Sequence, residues 1–370
     1  MISFSILFFT IYCLSISLVT IVGYLNNRKK ERNYMLDEEK INLDDVLVII
    51  PFRNEAHRIE MLLKSIVKLK ESPAEFVFVD DHSSDNTREL VSRYLENVNH
   101  TILTLDEGIS GKKNAIREAI SRTKSKFILT LDADVSFGVD YFSNLKSLGK
   151  ADMYVLPAIL VAKKWYEYFF ELDVVLANAL NAGLSGLSRP IMASGANLFF
   201  RREAFELADN YSLHSSFASG DDTFLLRDFS KNKMDVRTIS SPDVAIYTET
   251  PQSFKEFIDQ RLRWIGKTSN LNDSLNSSTT YIQAAFAFVF LVIIALFVSY
   301  GEWRIVCAIM ILKSVVDMLM FGLYFNRINR MTTWLFIPVY ELLFPFYSLL
   351  LLVLVPTYKP KWKGREIYKL

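Results

Sequence analysis

Four short β-branched and aromatic runs, at residues 46–50, 76–79, 101–105 and 127–131, limit most tightly what this chain can fold into. Each is too short for a helix and reads as a buried strand. Between them lie segments with apolar residues at helical spacing: Ile59, Leu62, Leu63, Ile66 and Leu69; then Leu90, Val91, Tyr94 and Leu95; then Ile116, Ala119 and Ile120. Strands alternating with helices predict an α/β domain built on a mostly parallel, doubly wound, Rossmann-like sheet. Ligands of such sheets bind beyond the carboxyl ends of the strands. The acidic clusters fall there: Glu55 follows the first run, Asp80 and Asp81 the second, Asp132 and Asp134 the fourth. Two carboxylates one residue apart can share a hard divalent cation, Mg²⁺ or Mn²⁺, and bridge it to phosphates. An Asp-x-Asp alone is a weak signal; its place in this ordered series points to a nucleotide or sugar-nucleotide site.

Composition divides the chain. Residues 1–25 are apolar and precede Arg28-Lys29-Lys30-Glu31-Arg32. A cleaved signal peptide carries its positive charge before the apolar run, so the segment reads as a retained membrane anchor. Its basic flank places the following domain, residues 44–270, in the cytoplasm. Residues 281–358 form a second apolar region, with 281–299 and 305–325 each long enough to span a bilayer. Lys313 and Asp317 lie within the second span at a spacing that lets them pair. Residues 332–355 are interrupted by Pro338, Glu341 and Pro345. There we expect a kinked or re-entrant hairpin that returns the basic tail, 359–370, to the cytoplasm. The chain therefore reads as an integral protein of the plasma membrane. A net charge of +1 gives no argument for nucleic acid. Cys13 and Cys307 both sit in apolar runs and provide neither a disulfide framework nor a metal spacing.

Further along, several short motifs occur in a fixed order. They are Ile50-Pro51-Phe52-Arg53-Asn54-Glu55, Val79-Asp80-Asp81-His82-Ser83-Ser84-Asp85, Gly111-Lys112, Leu131-Asp132-Ala133-Asp134, Ser194-Gly195-Ala196-Asn197, Gly220-Asp221-Asp222-Thr223-Phe224-Leu225 and Gln260-Arg261-Leu262-Arg263-Trp264. In this order and spacing, residues 46–265 resemble the family 2 glycosyltransferases with the GT-A fold. The final Gln-x-x-Arg-Trp resembles the membrane-bound, inverting branch that includes polysaccharide synthases. One departure is His82, where the family usually has Gly.

The resemblance implies a role for each motif. Pro51, Arg53 and Glu55 close over the nucleoside. Asp80 and Asp81 accept hydrogen bonds from base and ribose, although an acid there can also cap the next helix. Lys112, at a helix start, favours the pyrophosphate or is simply solvated. Asp132 serves ribose and metal, and Asp134 is a direct metal ligand. Gly195, Asn197 and Asp221 lie on the acceptor side. Asp222 is the general base of an inverting transfer. Gln260 and Arg263 hold the diphosphate. Trp264 lies against the acceptor sugar or a lipid headgroup, or anchors at the interface. A second amphipathic stretch, residues 165–180, reads as an interfacial or a core helix. The implied partners are a nucleotide-sugar donor carrying UDP, a lipid or glycan acceptor, membrane lipids and partner proteins in the membrane.

Two other functions compete. A processive polysaccharide synthase would also export its polymer, and the few C-terminal spans argue against a self-contained channel. A non-catalytic sugar-nucleotide or glycan-binding membrane protein would not need Asp134, Asp222 and Arg263 intact.

Overall fold

The structure, a computed structural model, describes residues 2–208, 221–269, 273–355, 361–362 and 365–366. It forms two compact units: residues 27–161 with 192–249, and residues 1–26 with 162–191 and 250 onward.

The first unit is an α/β domain. Its main sheet has the order β3-β2-β1-β4-β8-β6-β9, with β1 Val46–Phe52, β2 Glu75–Asp80, β3 His100–Thr104, β4 Phe127–Leu131, β6 Met153–Val155, β8 Asn197–Arg201 and β9 Val236–Thr238. β3, β2, β1 and β4 run parallel, as the sequence predicts, while β8 is antiparallel to both β4 and β6. The four parallel strands have apolar side chains on both faces because both faces are covered. Val46, Val48, Ile50 and Phe52 pack with Leu62, Leu63, Ile66, Val91 and Phe142. Leu47 and Ile49 pack on the opposite face with Ala115, Ile116, Ala119, Leu225 and Phe229. A three-stranded sheet, β5 Val135–Phe137, β10 Ile246–Glu249 and β7 Ala158–Val161, follows directly from the Asp132–Asp134 turn. The sequence reading did not foresee it, because each strand is only three or four residues long.

The second unit is helical. Among the described residues four helices are long and apolar enough to cross a membrane: Ser3–Leu36, Ser274–Ser299, Trp303–Arg327 and Ile337–Leu354. The first contains a π-helical turn, Leu18–Gly23, and there it crosses the helix Glu167–Leu187. A Cβ on Gly23 would overlap the Gly183 carbonyl, and one on Gly183 would overlap that of Val19. Glycines at both positions let the two backbones touch. Lys313 pairs with Asp317 at 2.7 Å and with Glu341, and the Tyr12 hydroxyl donates to Asp317. Glu341, read from sequence only as an interruption, completes this buried cluster across three helices. The expected hairpin at 332–355 is not formed within those residues. After the short helix Met331–Trp334, residues 337–354 make a single helix that contains Pro345. Pro338 falls in its first turn, where no N–H is needed for the helix ladder. Residues 356–360, and the side chains of the basic tail, lie outside the described residues.

Candidate active site

The loops after β1 and β2 are stitched to each other. Asp81 N–H donates to the Phe52 carbonyl at 2.9 Å, and Arg53 donates to the Asp81 carbonyl at 3.1 Å. The N–H groups of Glu55 and Ala56 donate to Thr87 Oγ1 and Asp85 Oδ2, both at 3.0 Å. Asn54 and His82 both have left-handed backbones, φ 52° and 58°. Asn tolerates that region through local hydrogen bonding, and its Oδ1 accepts from Ser84 N–H at 2.8 Å. His82 carries a side chain where glycine would be unstrained, with Nε2 lying 2.9 Å from the Ile109 carbonyl. Pro51 is the penultimate residue of β1, paired in register with Val79. Asp80 and Asp81 are both buried. Asp80 Oδ1 accepts from Ser83 N–H at 2.8 Å, and Asp81 Oδ2 accepts from Gly111 N–H at 3.1 Å. Burial drives the Asp85 carboxyl up, but bonds from Thr87 and Ala56 outweigh this and hold it below its ordinary range.

β4 ends at the Asp-x-Asp, and each of the two acids has its own cation. Lys112, the first residue of the helix Lys112–Ser121, pairs with Asp132 Oδ1 at 2.6 Å. Arg58 pairs with Asp134 Oδ2 at 3.1 Å and with Glu55 Oε2 at 2.9 Å. Burial weakens the Arg58 guanidinium, yet Asp134 and Glu55 outweigh it and hold its pKa above the ordinary value. Arg58 thus ties the first loop to the Asp-x-Asp. Sequence reasoning missed it, since an arginine in a turn carries no spacing signal of its own. Among the described residues no group of three or more His, Cys, Asp or Glu could hold a metal by itself. Asp132 and Asp134 still fit a cation that arrives with a diphosphate: Mg²⁺ needs only one or two protein carboxylates when phosphates and water complete its shell. Both side chains are partly exposed.

Asp222 lies in the first turn of the helix Asp221–Lys231. Its Oδ2 accepts from Gly195 N–H at 3.0 Å, and its Oδ1 from Thr223 N–H at 2.6 Å. The Gly195 carbonyl in turn accepts from Thr130 Oγ1, on β4, at 3.0 Å. Asp222 is therefore joined through Gly195 to the strand that ends in the Asp-x-Asp. Phe224 carries Lys113 over its ring at 5.0 Å, which fastens this helix to Lys112–Ser121. Asn197 is fully buried, and its amide is committed to Tyr141, Pro157 and Val244. The Asp221 side chain and Gly220 lie outside the described residues.

The Gln-x-x-Arg-Trp motif belongs to the helical unit, on the helix Phe254–Ser269. Burial lowers the Arg263 guanidinium from its ordinary pKa, and Asp259 opposes the shift. Gln260 Oε1 is buried with no hydrogen-bond partner among the described residues. Trp264 is partly exposed. Phe257, Ile258 and Leu262 are buried and pack with Phe170 and Tyr347.

The sequence profile of "Glycosyl transferase family 2" matches residues 47–206, and that of "Glycosyl transferase family group 2" matches residues 127–356. Poly-beta-1,6-N-acetyl-D-glucosamine synthase of Staphylococcus aureus is 30% identical over 132 residues, which are 34% of this chain and 32% of that protein. The Staphylococcus epidermidis protein of the same name is 25% identical over 132 residues, with the same coverage. This chain thus spans about a third of the length of these curated relatives. The mannosyltransferase PcManGT from Pyrobaculum calidifontis, solved with GDP-Man and Mn²⁺, superposes with a TM-score of 0.53 at 18% identity. The superposition covers 89% of this chain and 97% of that one. That likeness establishes a GT-A fold.

Proposed function

The protein belongs to glycosyl transferase family group 2, whose profile takes in more than half of the chain, and we propose that it is a membrane-bound inverting glycosyltransferase. It moves a sugar from a nucleotide donor, UDP-linked, to a lipid or glycan acceptor. The observation that carries this reading is the chain of hydrogen bonds from Thr130 through Gly195 to Asp222. It ties a candidate base to the strand whose end bears the candidate diphosphate site.

In this mechanism Asp222 takes the proton of the acceptor hydroxyl while that oxygen attacks the anomeric carbon. The bond from the anomeric carbon to the diphosphate breaks on the opposite face, so configuration inverts. No second carboxylate acts as nucleophile, and no covalent glycosyl intermediate forms. Asp80 and Asp81 recognise base and ribose, with Pro51, Arg53 and Glu55 over the nucleoside. Lys112, Gln260 and Arg263 hold the diphosphate. Gly195, Asp221 and Trp264 form the acceptor side; Asn197, expected there from the sequence, is instead buried with its amide bonded to Tyr141, Pro157 and Val244, and so supports the loop rather than touching the acceptor. Asp132 and Asp134 would hold a divalent cation, and that ion would neutralise charge on the departing nucleoside diphosphate. The Mn²⁺ named with the mannosyltransferase supports that choice.

Incubating the purified protein with a nucleotide-sugar panel and host lipid extract, then analysing products by mass spectrometry, tests the reading. A glycosylated lipid or oligosaccharide with an inverted anomeric centre is expected. No transfer from any donor would contradict it. The name of the staphylococcal relatives puts an N-acetylglucosamine donor first in the panel. It also favours a second reading, polymer synthesis, for which a ladder of product masses is the sign.

We also place the sheet unit in the cytoplasm, on the basic flank after the first span. In intact cells lacking Cys13 and Cys307, a cysteine replacing Asn33 should resist an impermeant thiol reagent. One replacing Tyr300, between two candidate spans, should react. Labelling at Asn33 would reverse the orientation.

A further inference from the structure

Arg261 is a part of the Gln-x-x-Arg-Trp segment that the proposed mechanism leaves unused. It is buried, with only 6% of its surface exposed. On a helix, residues 257, 261 and 264 share a face, and the guanidinium sits between two rings, 4.9 Å from the centroid of Phe257 and 4.3 Å from that of Trp264. Its Nε lies 2.5 Å from Asp173 Oδ2, on the helix Glu167–Leu187. The other oxygen of Asp173 accepts from the Tyr340 hydroxyl at 2.7 Å, on the helix Ile337–Leu354. Arg261 is thus the central charge of a three-helix junction, and Trp264 is the ring stacked on it.

We propose that Arg261 is a positioning residue. Its pairing with Asp173 and its stacking on Trp264 fix the rotation of the helix that presents Gln260, Arg263 and Trp264. The proposal rests on the reading of those three residues as donor and acceptor groups. Three physical points support it. A buried guanidinium without its carboxylate is strongly disfavoured, so the helix cannot turn without breaking the pair. The planar cation over an indole face orients the ring as well as attracting it. Tyr340 leaves Asp173 little freedom to follow a displaced Arg261, so the acid acts as a fixed reference for the helix. A role confined to packing would need only an apolar side chain of similar length.

The test uses the full chain with Trp165, Trp303, Trp334 and Trp362 replaced by Phe, which leaves Trp264 as the sole tryptophan, excited selectively over tyrosine. Acrylamide quenching reports how firmly the indole is held. Donor turnover is measured with the nucleotide sugar that the panel identifies, and nucleotide affinity by calorimetry with UDP and Mn²⁺. Arg261→Gln and Asp173→Asn should each steepen the quenching and lower turnover by about 10²-fold, the scale of a small misplacement at a reacting centre. The double variant Arg261→Met with Asp173→Leu removes both charges and should recover the thermal midpoint, since an apolar pair can replace a buried ion pair. It should recover neither the shielding of Trp264 nor the turnover. Turnover restored along with stability would reduce the pair to packing and overturn the proposal. Arg261→Gln with wild-type quenching would overturn it as well. If the protein transferred no sugar at all, the quenching arm would still decide the positioning role, apart from the proposed function.

Discussion

The two units use ion pairs under opposite conditions. At the strand ends of the α/β unit, the Lys112 and Asp132 side chains are 19% and 38% exposed, and those of Arg58 and Asp134 are 34% and 27% exposed. In the helical unit Lys313 and Asp317 are 12% and 2% exposed. Water screens the first pairs, so a phosphate or a divalent cation can replace one partner at small cost. Exchange in the second group would strand a bare charge in an apolar bundle. The same chemistry is thus exchangeable at the proposed site and permanent in the candidate membrane bundle.

Asp134→Ala should give the largest effect. It removes the proposed ligand from the exchangeable group, and losing a metal's charge stabilisation is worth several kcal/mol, or about 10³-fold or more in rate. Rates with and without chelator, beside the circular dichroism spectrum, check it. Full activity of this variant in excess chelator would remove the Asp-x-Asp from the account.

Lys313→Met probes the permanent group. It leaves Asp317 and Glu341 without their cation and should destabilise the helical unit by about 3–5 kcal/mol. The contrasting exposed pair, Lys70 with Asp140 at 2.8 Å, should cost no more than about 1 kcal/mol when Lys70 is replaced by Ala. Denaturation midpoints in detergent compare the two. Equal losses would erase the distinction between the regions.

A smaller effect is expected at Glu167, the first residue of the helix Glu167–Leu187. Burial raises its carboxyl pKa, but N–H bonds from Lys163 and Lys164, at 2.7 and 3.1 Å, outweigh this and hold it below the ordinary value. A depressed folded pKa contributes stability above the unfolded value, near about 4.3, and loses it as pH falls through the lower folded value. Glu167→Gln should therefore cost about 1 kcal/mol at pH 7 and progressively less below pH ~4. A loss independent of pH would assign the effect to packing alone.

How much of this was readable from sequence follows the same division. The parallel strands were legible because short apolar runs alternate with helical periods, and the acids that follow them, Asp80, Asp81, Asp132 and Asp134 above all, mark the strand ends where ligands bind. The spans were legible from length and apolarity, and Lys313 with Asp317 from helical spacing. Partners brought together by the fold were not: Arg58 reaches Asp134, Glu341 reaches Lys313, and Asp173 reaches Arg261. None of these pairs shares a helix or strand, so no local period connects them. The expected hairpin after residue 332 rested on proline as a helix breaker, and Pro338 instead occupies a first turn, where it is tolerated.

The central claim, that Asp222 is the base of an inverting glycosyl transfer, is tested most directly by Asp222→Asn. The substitution keeps shape and hydrogen bonding and removes basicity. Donor affinity by calorimetry should stay near wild type, while initial rates fall by at least about 10²-fold, the scale for losing a general base. Near-normal turnover in Asp222→Asn would contradict the account and pass the role to another carboxylate, with Asp221 the first to examine.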